Sequence, residues 1–183
     1  MIAENVKGII IGNAKGWVNQ IVKGFDGAGY VVQIFLFNAA RMGVPQKRER
    51  VFFIAHRKDL KYPKLSMEFH SKPIPFKDVR EPYGKTMDPD SMQAKLLKYR
   101  IPTDRCIADI NERVRKVKNN GFSTPINRDE EPVQTIVSGS SLYRMCDGLL
   151  MTDKDIISCQ TFPQDYDFMG QSVQYICGMS VPR

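Results

Sequence analysis

Tryptophan, histidine and cysteine are scarce in this chain of 183 residues, which holds one, two and four of them. With two histidines and no C-x-x-C spacing among Cys106, Cys146, Cys159 and Cys177, no pattern for a structural zinc site exists and no metal is expected. A disulfide framework is not expected either, because a chain of this size can bury about 70% of its unfolded surface in a core without staples. No apolar run approaches the roughly 20 residues of a membrane helix. The longest, Val31–Phe37, is broken by Gln33 and has the length of a strand. No secretory leader is expected, since Glu4 and Lys7 follow Met1 before any apolar stretch develops. No internal repeat is present, which excludes solenoids and collagen. Gly8, Gly12 and Gly16 do not form a phosphate loop: Lys15 precedes Gly16, and Trp17 stands where Lys would have to follow.

What is present is the balance of a soluble globular chain, 42% apolar and 26% charged. The net charge of +7 is unevenly spread: residues 1–60 carry +5, residues 61–120 carry +6 and residues 121–183 carry −4. Such asymmetry fits a polyanion partner for the first two thirds, with a phosphate backbone as the leading candidate; a solvated basic surface reads the same way.

Residues 1–57 alternate between helical and strand patterns. Val18, Ile21, Val22 and Phe25 fall on one face of a helix over Trp17–Phe25, which Gly27 and Gly29 can end. Tyr30–Asn38 and Arg50–His56 are dense β-type runs separated by a turn at Gly43-Val44-Pro45. Contiguous apolar strands beside an amphipathic helix predict a sheet covered on both faces. Residues 58–106 carry prolines at 63, 73, 75, 82, 89 and 102, so long regular elements are excluded there. Further on, the pattern predicts a helix over Ile107–Asn119 stopping near Gly121, and a short strand over Val133–Val137. It then predicts a helix capped by Thr152 that stops before Pro163, and a last helix over Val173–Cys177 ended at Gly178.

Four stretches stand out. Glu4-Asn5-Val6 places a carboxyl group beside apolar chain, where partial desolvation would raise its pKa and let it donate a proton; an ordinary surface glutamate reads the same way. In Gln46-Lys47-Arg48-Glu49-Arg50, Arg48 and Arg50 alternate at the opening of a strand and leave on one face, ready to hold a phosphate or a base edge. Gln160-Thr161-Phe162-Pro163 and Gly178-Met179-Ser180-Val181-Pro182 close the chain as a helix exit and a glycine turn.

Together these segments resemble the back half of a cytosine-5 DNA methyltransferase. Glu4-Asn5-Val6-Lys7-Gly8 resembles the family's Glu-Asn-Val motif, and Gly43 through Ile54 its Gln-x-Arg-x-Arg segment. Arg128 with Glu131-Pro132-Val133-Gln134-Thr135-Ile136 resembles the segment that closes the target-recognition region, and the two C-terminal runs resemble the last motifs. They occur in family order. The departures are a missing Pro-Cys nucleophile, a missing glycine-rich methyl-donor loop, and Met179 in place of the usual asparagine.

The resemblance implies an α/β fold: the back half of a Rossmann-like methyltransferase sheet plus a small irregular target-recognition domain. Residues 1–57 would belong to the catalytic domain, 58–150 to target recognition, and 151–183 to a return segment with the final cofactor-edge motif. It implies methyl transfer from S-adenosylmethionine to carbon 5 of a flipped cytosine in duplex DNA. Glu4 would engage the ring nitrogen, Arg50 the ring carbonyl, and Arg48 and Gln46 the DNA-facing edge. Thr135 would position a phosphate, and Met179, Ser180 and Val181 would line part of the cofactor pocket. The chain is expected to be inactive alone, to need a segment or subunit carrying the Pro-Cys nucleophile and cofactor loop, and to self-associate through exposed sheet. A cytoplasmic setting in a bacterium or phage is expected, within restriction–modification. The other functional reading is a DNA-binding subunit or remnant without catalysis. RNA binding has no aromatic stacking signature to support it.

Overall fold

Alternating aromatic and β-branched side chains make two nine-residue strands in the first third of the chain, and these organise its sheet. The computed structural model describes residues 1–118 and 123–182. It opens with β1 (Ile2–Val6), α1 (Lys15–Gly27), β2 (Tyr30–Asn38), β3 (Gln46–Lys47) and β4 (Glu49–Arg57). β4 lies between β1 and β2 and runs antiparallel to both. Gly29, at φ +84°, lets the chain leave α1 and enter β2 directly. Gly43, at φ +83°, does the same for the turn into β3.

The strict two-residue period of β4 sends Val51, Phe53 and Ala55 to a buried face. On the flanking strand, Ile34 and Leu36 share that face by register yet remain exposed. The expectation of a sheet covered on both faces is therefore met at its centre and not at its flank. Val18, Ile21, Val22 and Phe25 of α1 are half-buried, as their spacing predicts, while Trp17 stays in solvent. On the opposite face, the extended segment after β4 crosses the sheet. The Gln33 side chain exchanges two hydrogen bonds with the backbone of Leu65, and Phe69 meets Phe37 edge to face at 5.2 Å.

The proline-rich stretch is irregular, as expected, apart from 3-10 turns and the six-residue α2 (Met92–Leu97). α3 spans Ile107–Arg115, shorter than its pattern suggests, because Lys116 takes a left-handed φ of +60° and ends it. The expected helix end at Asn119 and the stop at Gly121 lie outside the described residues. Next come β5 (Ile126–Asn127), β6 (Val133–Gln134) and β7 (Tyr143–Arg144). β3 pairs with β6 and β5 with β7, both in parallel. Only the first two residues of the predicted Val133–Val137 strand find a partner. α4 (Asp153–Gln160) carries the predicted cap, reciprocated between Thr152 and Asp155, and Thr161 leaves it at φ +60°. α5 spans Val173–Met179. Gly178 therefore lies inside this helix rather than ending it.

Two apolar clusters hold the second part together. One joins Phe76, Val133, Ile136, Leu142, Met151, Ile156, Cys159 and Cys177. The other joins Leu96, Leu97, Ile110, Ile126 and Tyr143. Between them lies a fully buried ion pair, Arg144 Nη1 to Asp155 Oδ2 at 3.3 Å. Asp155 also accepts from the backbone N–H groups of Glu81 and Thr152, so the carboxylate fastens the irregular stretch to the start of α4. Removing one partner of a buried pair leaves the other unpaired, which costs about 3–5 kcal/mol. Asp155→Ala is expected to lower the unfolding free energy measured in urea by an amount of that order; a value unchanged from wild type would contradict this role.

Candidate active site

The register of the sheet brings two of the expected residues into contact. Glu4 stands opposite Phe52 and Val6 opposite Arg50, so Glu4 and Arg50 are diagonal neighbours on one face. Arg50 Nε lies 2.7 Å from Glu4 Oε1, and Arg50 Nη1 donates to the Glu49 carbonyl at 2.8 Å. The two side chains are 16% and 34% exposed, so the pair is packed yet reachable. Arg50 opens into a cavity of about 250 Å³ shared with Phe37, Phe52, Arg48, Val181 and Pro182. This lining joins the second and fourth residues of β4, Arg50 and Phe52, to the C-terminal Val181-Pro182. None of the cysteines lines it.

Arg48 shares the cavity wall but is buried. Its Nη1 donates to the Ile136 carbonyl at 2.9 Å and its Nη2 to the Gly178 carbonyl at 3.1 Å. Burial, then repulsion from Arg50, pull its pKa down to about 10, against the attraction of Glu4. It remains a cation at neutral pH, and it is committed to two backbone carbonyls of the chain.

Gln46, expected at a DNA-facing edge, is fully buried: its amide donates to Gln160 Oε1 at 2.6 Å and to the Cys159 carbonyl at 3.2 Å, and it accepts from Ile136 N–H at 3.0 Å. As placed, its amide faces the protein interior rather than solvent. Arg48, expected beside it, is likewise enclosed. The two arginines do reach one cavity, but only Arg50 meets its opening with a partner on the sheet face.

Thr135 is half-buried, and its hydroxyl donates to the Lys47 carbonyl at 2.8 Å. Ser180 turns its hydroxyl inward to the Cys177 carbonyl at 3.1 Å, and its own carbonyl accepts from Gln160 at 3.0 Å. Met179 and Val181 expose apolar side chains, 66% and 43% accessible. These three residues fit an apolar edge of S-adenosylmethionine; they present no outward cation for its carboxylate and no outward acceptor for its ribose. Sequence reasoning missed Gln160 and Gly178 as members of this assembly, although both stand in the quoted C-terminal runs. A Cβ on Gly178 would lie 2.4 Å from the backbone nitrogen of Ser138, so only glycine lets α5 seat against that loop.

Next to the site lies a cleft of about 530 Å³ lined by Lys47, Arg105, Arg128, Asp109, Glu131 and Gln134. Glu131 receives Lys47 on one oxygen and Arg128, at 3.4 Å, on the other. Two free cysteines, Cys159 and Cys177, are core residues, and burial pushes the Cys177 thiol up to about 11. Among the described residues no cluster of metal-binding side chains is present, and no helix is long and apolar enough to cross a membrane.

A sequence profile for C-5 cytosine-specific DNA methylases matches residues 1–183. Type II methyltransferase M.FnuDI of Fusobacterium nucleatum is 38% identical over 94% of this chain and 57% of its own length. Type II methyltransferase M.NgoPII of Neisseria gonorrhoeae is 30% identical over the same shares. The chain thus spans little more than half the length of these curated relatives. Among solved structures, an Escherichia coli prophage protein described as a DNA modification methyltransferase superposes with a TM-score of 0.62 at 17% identity, covering 98% of this chain and 64% of that one. The Dnmt2 methyltransferase of S. pombe gives 0.56 at 11% identity, covering 99% and 62%. These two likenesses speak for the fold.

Two measurements test the geometry. Gly178→Ala is expected to cost about 1–3 kcal/mol, the usual penalty for overpacking a tight contact; equal unfolding midpoints would show that Ser138 yields freely. Glu131 is held below the usual carboxylate range, first by the hydrogen bond from Lys47 and then by the charges of Lys47 and Arg128, against burial. Its folded pKa is depressed, so its contribution to stability is fully present above about pH 4.5 and is lost as pH falls through the folded value. The melting temperatures of wild type and Glu131→Gln should therefore differ at pH 7 and converge as the pH falls through the depressed folded value, below 4.5. A gap that stays constant would contradict the ion-pair assignment.

Proposed function

This chain belongs to the C-5 cytosine-specific DNA methylase family, and from that premise we propose that it is the back part of a DNA (cytosine-5-)-methyltransferase acting on duplex DNA. The observation that carries the reading is the Glu4–Arg50 pair, 2.7 Å apart at the mouth of a cavity that the C-terminal Val181-Pro182 helps to close.

The substrate poses a definite problem. Carbon 5 of cytosine is electron-rich and lies inside the base stack, so the base must be turned out of the duplex and its ring polarised. In this reading Glu4 holds a proton at the ring nitrogen beside the exocyclic amine. Arg50 donates to the ring carbonyl oxygen, where negative charge develops when a nucleophile adds to the ring. Arg48 and Gln46 do not touch the base; they fix the backbone that aims Arg50. Thr135 would meet a target-strand phosphate only by turning its hydroxyl away from the Lys47 carbonyl, to which it donates in the free chain. S-adenosylmethionine, when bound, supplies the methyl group, and Met179, Ser180 and Val181 would border it on one side. Residues 1–57 then serve catalysis, 58–150 target recognition, and 151–183 return the chain to the catalytic edge.

The nucleophile has to come from elsewhere. Cys159 and Cys177 are sealed in the core, and Cys106 and Cys146 lie on surfaces away from the Arg50 cavity. A second segment or subunit carrying Pro-Cys and the glycine-rich loop completes the site. The outer edge of β1, with the exposed Ile2 and Val6, is a place for it to add further sheet. Without that segment the same apolar surface favours self-association of the chain.

The test is reconstitution. The chain, a separately made segment bearing Pro-Cys and the glycine-rich loop, and labelled S-adenosylmethionine are mixed with duplex DNA. The chain alone should transfer no label, and the mixture should transfer it. Glu4→Ala in the mixture should lose about 100-fold or more, the scale of a general acid. Full activity of the Glu4→Ala mixture, or transfer by the isolated chain, would overturn the assignment. Binding of DNA by a chain that no segment can activate would support a DNA-binding module without catalysis.

A further inference from the structure

We propose that Gln134 is a specificity-determining residue, whose amide contacts a base edge in the bound DNA. The inference rests on the methyltransferase reading above and adds to it the residue that reads sequence.

A reading side chain needs hydrogen-bonding groups at its tip that the protein has not already taken, an exposed position, a rigid mount and a place beside both the DNA backbone and the reacting base. Four polar side chains of the recognition region fail because their tips are spent inside the protein. Asn127 is buried and donates to the Tyr143 carbonyl at 3.2 Å. Arg100 donates to the carbonyls of Met145 and Cys146 at 2.7 and 3.0 Å. Arg113 is committed to Asp104 and to the Tyr99 carbonyl, both at 2.7 Å. Arg144 is sealed against Asp155.

Gln134 differs on each count. It is exposed at the end of β6, while its neighbour Val133 is fully buried. Its backbone is pinned on both sides. The N–H donates to Asn127 Oδ1 at 2.9 Å, and the following residue, Thr135, bonds to the Lys47 carbonyl at 2.8 Å. By register it faces Lys47, one residue before Arg48 and three before Arg50, so its mount shares a strand pairing with the catalytic edge.

Its surroundings suit a nucleic-acid strand. Gln134 lines the cleft of Lys47, Arg105 and Arg128, and also a second one of about 550 Å³ that holds Ser123, Thr124, Thr135, Ser140 and Ser141. One side thus offers cations and the other offers hydroxyls, both of which take phosphate oxygens. The amide stands at the junction. Asp109 and Glu131 lie in the first cleft too, paired with Arg105 and with Lys47 and Arg128. They hold those cations in place and keep that side from being a featureless positive surface. A carboxamide can donate and accept at once, which a base edge in the major groove matches with two hydrogen bonds.

The test uses the 183-residue chain and a pool of duplexes with a randomised central segment, selected by binding and sequenced. Wild type should enrich a defined sequence. Gln134→Ala should lose roughly tenfold in discrimination at one base-pair position, in line with the loss of a two-bond contact, while retaining the others. Gln134→Glu, which keeps the shape and removes the donors, should shift the preference at that same position. Arg105→Ala should instead weaken binding to every sequence alike and lower the slope of log affinity against log salt by about 1. Thermal melting of each variant verifies that it is folded. If folded Gln134→Ala and Gln134→Glu both select the wild-type sequence, the assignment is overturned. If wild type binds duplexes without enriching any sequence, or binds none, the reading beneath it falls and this one falls with it.

Discussion

A set of interior polar bonds holds the edge around Arg50 together. Gln46, Arg48, Gln160 and the backbone of Ile136 and Gly178 bond to one another, leaving only Arg48 Nε of the Arg48 guanidinium without a partner, and the paired groups lie 88–130 residues apart in sequence. A buried donor or acceptor left without a partner costs about 1–3 kcal/mol, so such a network stands only when all its members are seated. The apolar cluster around Ile136, Cys159 and Cys177 encloses it and keeps competing water away. Glu4 and the Glu49 carbonyl hold the Arg50 guanidinium itself, and this knot seats the segment from which it projects. It fixes the entry to β4, seats α5 against the Ser138 loop, and brings Val181 and Pro182 to the cavity.

The charge of the site is organised around the same strand. Arg48 and Arg50 are two like charges close enough to disfavour each other, and the arrangement persists because each has a different partner. Arg48 has carbonyl oxygens within the protein, and Arg50 has Glu4 on the adjacent strand. One residue earlier, Lys47 turns the other way toward Glu131. A run of four residues thus distributes three cations among the core, the cavity mouth and the neighbouring cleft. This is why a basic segment that looks uniform in sequence performs three different tasks.

The sequence made the local elements legible where a local cause sets them. The period of two in Val51, Phe53 and Ala55, the cap at Thr152 and the proline density after residue 58 each act over a few residues, and each appears in the fold. α3 was read too long because its apolar spacing continues to Val117, whereas the left-handed turn at Lys116 follows from no pattern of hydrophobicity. The site was legible only in part. Alternation puts Arg48 and Arg50 on one face, and both line one cavity, but it could not say that Gln46 and Arg48 would be enclosed, because the residues enclosing them lie more than 80 positions away. For the same reason Gly178 reads as a helix stop in sequence and proves to be a point of close backbone approach in space.

The sequence separation of these bonds also fixes an order of events during synthesis. Contacts between residues near 46–50 and residues near 178 close a very long loop, and loops of that kind form late and slowly. The two long strands emerge and pair well before the carbonyl that Arg48 needs, which follows Arg48 by 130 residues. Until that loop closes, β2 and β4 present aromatic and aliphatic side chains while the Arg48 guanidinium lacks this partner. The edge around Arg48 and Arg50 is therefore completed late in folding, after the sheet itself.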